Sequence, residues 1–409
     1  MIVKVLLLIL FFAVMVGIGF YSRKHATNVD GFVLGGRSVG PWLTAFAYGT
    51  SYFSAVVFVG YAGQFGYKYG ISATWIGIGN ALIGSLLDWI VLGRRTRIMS
   101  KHLKAKTMPD YFGKRFDSNA LRVTAAVISF VFLIPYTASV YNGLSRLFEM
   151  AFDVPYTVCV VVMAALTCVY VILGGYMATA INDFVQGIVM LVGIVAVIAS
   201  VLNGQGGFMQ AVFKLSEIPS DIPVTMGQQG AFTSFFGPDP LNLLGVVILT
   251  SLGTWGLPQM VSKFYAIRDE KAVKTGTVIS TLFAIVVSGG CYFLGGFARL
   301  FDSDAIRNGQ GGIVYDAIIP TMLYSLSDIL IGIVIVLVLS ASMSTLSSLV
   351  LTSSSTLTLD FLKGNIIKKM DEKKQLLTMR IFLVCFVVIS VEIALDPPTF
   401  IAQLMGISW

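Results

Sequence analysis

The chain has 409 residues, of which 56% are hydrophobic and 12% charged, and its mean hydropathy is +0.83. A water-soluble domain carries about a quarter charged residues. The composition therefore excludes one and predicts an all-α polytopic membrane protein. The net charge of +7 does not signal nucleic acid, because the cations sit in separate loops between apolar segments.

Ten apolar segments follow one another, near 3–21, 42–65, 71–93, 121–151, 156–174, 184–203, 240–261, 275–298, 326–362 and 376–395. Each is long enough for a bilayer that needs about 20 residues. Lys4 precedes the first segment and Arg23 and Lys24 follow it. No small-residue cleavage site comes after it and nine more spans do, so it reads as a span and not a signal peptide. Between the third and fourth segments, residues 94–115 hold eight Lys/Arg against one Asp. The stretches from Lys263 to Lys274 and from Lys363 to Arg380 are also basic, whereas 204–239 and 299–325 are acidic on balance. Basic loops alternating with acidic ones are the positive-inside pattern. An N-terminus outside the cell membrane places every basic loop in the cytoplasm. After the tenth segment, "DPPTFIAQLMGISW" opens another apolar run and stops within it, which predicts a piece of a longer protein.

Cys159, Cys168, Cys291 and Cys385 all fall in apolar segments without metal spacing, and His25 and His102 fall in loops. They predict neither a metal centre nor a nucleophile–base pair, so the chain is not read as an enzyme.

Two segments are interrupted. The second, "WLTAFAYGTSYFSAVVFVGYAG", has Gly49, Thr50, Ser51 and Ser54 in its middle; the seventh, "LGVVILTSLGTWGLPQMVSKFYA", clusters Gly253, Gly256 and Pro258. Pro258 lacks an amide donor and crowds the carbonyl of Thr254. Interrupted spans at matching places in two halves point to a transporter's binding site. The ninth segment carries "LSASMSTLSSLVLTSSS", where Ala341, Ser344, Thr345, Ser348 and Thr352 share one helix face. Taken singly, membrane glycines mostly serve packing and membrane hydroxyls mostly bond their own helix. A hydroxyl face beside two matched breaks instead predicts a site for a small hard cation. Asp183, in "GGYMATAINDFVQGIVM", reads either as a helix cap at the cytoplasmic surface or as an anionic ligand.

The stretches "GFVLGGRSVGPWLTAFAYGTSYFS", "GISATWIGIG", "KTMPDYFGKRFD", "NGLSRLFEMAF", "YVILGGYMATAINDFVQG", "GLPQMVSKFYA" and "SASMSTLSSLVLTSSS" resemble the sodium/solute symporter family, and within it the bacterial proline-carrying branch. The resemblance covers nearly the whole chain. It implies a leucine-transporter-type fold of inverted five-helix repeats after one leading helix, C-terminally incomplete here. The leading helix falls at 3–21, the first repeat at about 42–203 and a truncated second repeat at about 240–409, all in one transporter domain.

The resemblance also implies residue roles. A main sodium site falls on Thr50 and Phe53 from the second segment and Ala341, Ser344 and Thr345 from the ninth. A second sodium site falls on Asp183, Ser347 and Ser348. The solute lies among Tyr52, Ser54, Tyr136, Trp255, Pro258 and Gln259. The proline-carrying relatives have an acid where this chain has Tyr52, an aromatic at Val56 and a His at Gln259, departures that fall at or beside the implied solute cavity and leave the fold and the main sodium site intact. The implied function is sodium-coupled import of a small organic solute, proline or another amino acid, by alternating access. The partners are sodium, that solute and membrane lipid, with no nucleic acid. The competing expectation is a solute-sensing membrane domain fused to a kinase.

Overall fold

The computed structural model describes residues 2–408 except Asp153, Gly309, Ser325, Gly364 and Lys368. The described residues are overwhelmingly helical and form isolated bridges but no sheet. Helices stand at each of the ten apolar segments. The first is Ile2–Ser22. The second is Pro41–Tyr52, a break, and then a helical stretch from Val56 to Tyr69. The chain turns at Gly70 into the third, which ends at His102. The fourth is Asn119–Phe152. The fifth and sixth share the stretch Tyr156–Gly204, divided at Gly175. The seventh is Pro240–Leu252, a tight turn Gly253–Gly256, and Pro258–Ala266. The eighth is Glu270–Gly295, the ninth runs from Asp328 to Leu362, and the tenth is Glu372–Leu395. A short helix, Ile401–Ser408, follows, with the Ile401 N–H on the Asp316 carboxylate at 3.2 Å.

The fifth segment ends where the hydropathy places it, and the sixth begins earlier than 184. Gly175 has φ 54° and ψ −151°, and a Cβ there would stand 2.9 Å from the Phe32 carbonyl oxygen. Only glycine takes that backbone at that approach. Asp183 therefore lies eight residues inside the sixth helix, fully buried, and does not cap it.

The ninth segment is the centre of the bundle. Of its most apolar stretch 78% is buried, against 22% for the first segment. The first segment shows Leu6, Ile9 and Leu10 on the outside, as a lipid-facing helix does. The ninth packs on the fourth, the fifth–sixth stretch, the second, the first and the tenth. Its long polar run is thus enclosed by protein, the only place in a bilayer where hydroxyls are tolerated in number.

Helix crossings near the centre are close because glycines make them so. A Cβ on Gly66 would stand 2.1 Å from the Gly295 carbonyl oxygen, and one on Gly77 2.7 Å from the Gly289 nitrogen. Small residues at such crossings supply the contact area that replaces hydrophobic drive between membrane helices.

Candidate ion and solute site

Both interruptions are real, and each is built locally. The second segment leaves helical geometry at Phe53 (φ −106°, ψ 94°), later than the Gly49–Ser51 cluster suggests. Gly49 is a packing glycine, since a Cβ there would lie 2.5 Å from the Phe283 ring. Ser54 restarts the helix. Its hydroxyl accepts the Val56 N–H at 3.2 Å and its carbonyl accepts those of Val57 and Phe58 at 3.0 and 3.2 Å. In the seventh segment Leu257 is extended, Pro258 opens the second half at its first position, and the halves meet at 53°. Proline belongs there, because the first helical position has no partner for an N–H.

Oxygens of the second and ninth segments converge beside the first break. The Ser344 hydroxyl donates to the carbonyls of Thr50 and Ala341, each at 3.1 Å. The Thr345 hydroxyl lies 3.4 Å from the carbonyls of Thr50 and Ser51 and 3.1 Å from that of Ala341. All five residues are at most 2% exposed. Oxygens at a hard cation's bond length of about 2.4 Å stand roughly 3.4 Å apart at right angles. The hydroxyl–carbonyl separations here, 3.1 to 3.4 Å, fall near that spacing. The donor set is neutral and all oxygen, which suits a monovalent hard cation and not a transition metal. Among the described residues no three His, Cys, Asp or Glu are grouped to hold a metal.

Other hydroxyls of the run behave as membrane serines ordinarily do. Ser342, Ser354 and Ser355 bond carbonyls three or four residues back. Ser347 does the same, donating to the Ser344 carbonyl at 2.9 Å. What sets Ser344, Thr345 and Ser348 apart is that they reach another segment.

One turn beyond Ser344, the Ser348 hydroxyl meets that of Ser51 at 2.9 Å and accepts from Lys263 Nζ at 2.8 Å. That ammonium also lies 3.6 Å from an Asp183 carboxylate oxygen and 5.3 Å from the centre of the Tyr176 ring. Lys263 is 2% exposed and Asp183 fully buried. The sequence reading placed Lys263 in a basic loop; it is a buried cation on the second half of the seventh segment. Hydropathy could not find it, since a lysine at a helix end looks the same whether it turns out or in. Asp183 is also not alone. Asp88, inside the third segment, is 1% exposed and accepts a hydrogen bond from Tyr48.

The expected solute residues make separate polar contacts. The Tyr52 phenol donates to the Thr250 carbonyl at 2.8 Å, bridging the two broken segments. Tyr136 reaches Ser54. The Trp255 indole donates to the Ile83 carbonyl at 3.1 Å. Pro258 lines a small cavity with Tyr176, Lys263 and Thr352. Gln259 is 1% exposed, and among the described residues neither of its amide atoms has a protein partner. Ser54 alone of the six faces a cavity with Phe53 and Ala341, and the rest of that wall is mainly apolar, including Phe58, Met190 and Leu337.

Both ends of this region are closed. On the face of the basic loops, the "GGR" turn takes left-handed backbone at Gly35, Gly36 and Arg37. It aims the Arg37 guanidinium at the carbonyls of Tyr265 and Ala105. Burial lowers the pKa of that guanidinium from its usual value, yet the carbonyls hold it in place. Val39 pairs with the backbone of Ala266 and Arg268, each at 3.2 Å, and Arg97 donates to the Ile267 and Arg268 carbonyls. On the opposite face Arg299 holds Asp221 and the Tyr67 carbonyl, each at 2.6 Å.

Comparison with known proteins settles the family. The model of the sodium:solute symporter family matches residues 32–408. The chain belongs to the sodium:solute symporter family. It is 30% identical to sodium/proline symporters of Staphylococcus aureus strains JH9 and USA300, over 99% of this chain and 77% of theirs. A Na+-coupled sialic acid symporter in a substrate-bound outward-open state aligns over 96% of this chain and 82% of its own, at TM-score 0.77 and 16% identity. Mhp1, a nucleobase-cation-symport-1 family transporter in a closed conformation, aligns over 91% and 75% at TM-score 0.55 and 11% identity. The fold is thus the leucine-transporter type, with inverted five-helix repeats after a leading helix. This symporter is a multi-pass membrane transporter and not an enzyme, and sodium is its coupling ion.

Proposed function

We propose that this symporter imports a small amino acid of the proline type through the cell membrane, with its N-terminus outside and the basic loops in the cytoplasm. The observation that carries the ion half of the reading is the convergence of the Thr50, Ser51 and Ala341 carbonyls on the Ser344 and Thr345 hydroxyls. Sodium at that point joins the second and ninth segments and takes over the hydroxyl–carbonyl bonds that otherwise join them. The carbonyl of Phe53, at the end of the helix, completes the main site. The bound ion fixes the first break, and the solute then sits between the two breaks, with Tyr52, Ser54, Tyr136, Trp255, Pro258 and Gln259 around it.

The solute half rests on similarity to the sodium/proline symporters and on polarity. Buried polar groups in folded proteins are nearly always hydrogen-bonded. The Gln259 amide is buried without a protein partner among the described residues, which suits it to the carboxylate or amine of a bound solute. The Tyr52 phenol brings no negative charge, so the solute's ammonium is met by carbonyls and ring faces instead, at about 0.5–2 kcal/mol for a ring. A sodium ion moving down 100 mV releases about 2.3 kcal/mol, enough for a solute gradient of roughly 40-fold.

The test is uptake by the full-length protein in proteoliposomes under an inward sodium gradient. Radiolabelled proline, alanine, glucose and sialic acid are compared, with potassium replacing sodium as control. Proline uptake that requires sodium is expected. Tyr52→Ala and Gln259→Ala should each raise the solute half-saturation at least fivefold and leave that of sodium within twofold. Sodium-independent uptake, or solute half-saturation within twofold of the parent in both variants, refutes the reading.

A further inference from the structure

The place where a second sodium is expected already contains a positive charge. Lys263 Nζ is within 2.8 Å of the Ser348 hydroxyl and 3.6 Å of the Asp183 carboxylate. It faces the Tyr176 ring, and the whole cluster is nearly sealed from solvent. Neither Asp183 oxygen accepts a hydrogen bond among the described residues, so the nearby ammonium is its counter-charge. A buried carboxylate without a counter-charge is strongly disfavoured, and a sodium ion beside the ammonium would face a like charge in a poorly screened interior. The pocket thus accepts one cation at a time.

We propose that the Lys263 ammonium is the resident cation of this second site, so that the symporter binds and moves one sodium per cycle. The inference rests on the sodium site of the preceding section and adds its stoichiometry. The ammonium fulfils the part of an ion that never leaves the protein. It bonds Ser348, which bonds Ser51, whose carbonyl is 3.4 Å from the Thr345 hydroxyl. Sodium at Ser344 and Thr345 is therefore felt one helical turn away, about 6 Å along the ninth segment. Lys263 belongs to the half-helix whose end is pinned by Arg37 and Val39 on the basic face. Opening that face requires Pro258–Ala266 to move, and the ammonium moves with it. Lys263 is a positioning residue that ties closure of the basic face to occupancy of the sodium site.

Equilibrium binding of radiolabelled sodium to the purified full-length protein tests this without knowledge of the solute. One sodium per chain is expected for the parent and for Lys263→Arg. Lys263→Met leaves Asp183 uncompensated and should bind two sodium ions. Lys263→Met with Asp183→Asn removes both charges and should return to one. Two sodium ions on the parent overturn the proposal, as does a single sodium on a monodisperse Lys263→Met. If Lys263→Met does not fold, the parent and Lys263→Arg decide alone: one each supports the proposal and two on either overturns it. An absence of any sodium binding refutes the sodium site itself, a distinct outcome.

Discussion

Removing the hydroxyl of Ser344 or Thr345 is the sharpest probe of the ion site. Without an ion each hydroxyl donates to carbonyls across the gap between the second and ninth segments, at 3.1 Å for Ser344 and 3.4 Å for Thr345. With sodium bound, the same oxygens turn their lone pairs to the cation and the carbonyls do likewise. Ser344→Ala thus costs both states something. The ion-free state loses a neutral hydrogen bond, about 1 kcal/mol, while the ion-bound state loses a contact to a charge, about 1.5–3 kcal/mol. The difference, about 1.4 kcal/mol, is a tenfold rise in the sodium concentration for half-maximal uptake. Thr345→Ala should act similarly, and Thr345→Ser, which keeps the oxygen, should stay within about threefold. The two hydroxyls share the Thr50 and Ala341 carbonyls, so the double variant should not multiply the single effects. The assay is initial uptake rate against sodium in proteoliposomes, with solute half-saturation measured at saturating sodium as the control. Unchanged sodium dependence in both alanine variants removes these residues from the ion site.

Three further outcomes follow from geometry. Gly66→Ala puts a methyl 2.1 Å from the Gly295 carbonyl oxygen, a backbone atom that cannot swing aside. Overpacking of this kind costs about 1–3 kcal/mol, so the variant should lose several degrees of melting temperature in detergent, whereas Gly245→Ala, with nothing near its Cβ, should not. Asp316, half-buried under the last helix, has its pKa pushed up to about 6, chiefly by desolvation. A folded-state value above the unfolded 3.8 means the fold binds the proton more tightly, so stability is gained as pH falls through 6. Between pH 7 and 5 this amounts to about 1 kcal/mol, and Asp316→Asn should abolish that part of the rise in melting temperature. Single cysteines replacing Lys104 and Lys369 should resist an impermeant thiol reagent applied to intact cells, and those replacing Gln228 and Gln310 should react. Labelling at position 104 from outside would refute the N-outside orientation.

Legible in the chain alone were the helical membrane plan and the polar face of the ninth segment. Helices stand at each of the ten apolar segments, and among the described residues seven, or eight with the bent seventh segment, are long and apolar enough to cross a membrane, because an apolar run in a bilayer has one way to satisfy its backbone. Pro258 and the residues around Ser54 mark the two breaks for local reasons, a missing donor and a side chain that caps. The helical period alone put Ser344, Thr345 and Ser348 on one face, and that face meets the first break. Which polar groups face each other was set by how the helices pack. That packing turned Lys263 inward and buried Asp88 against Tyr48. It also began the sixth segment directly after Gly175 and not at 184, because the approach of Phe32 sets the turn there. The difference is physical. Periodicity and hydropathy are properties of one segment, whereas an ion pair between the sixth and seventh segments depends on how two helices, eighty residues apart in the chain, rotate against a third.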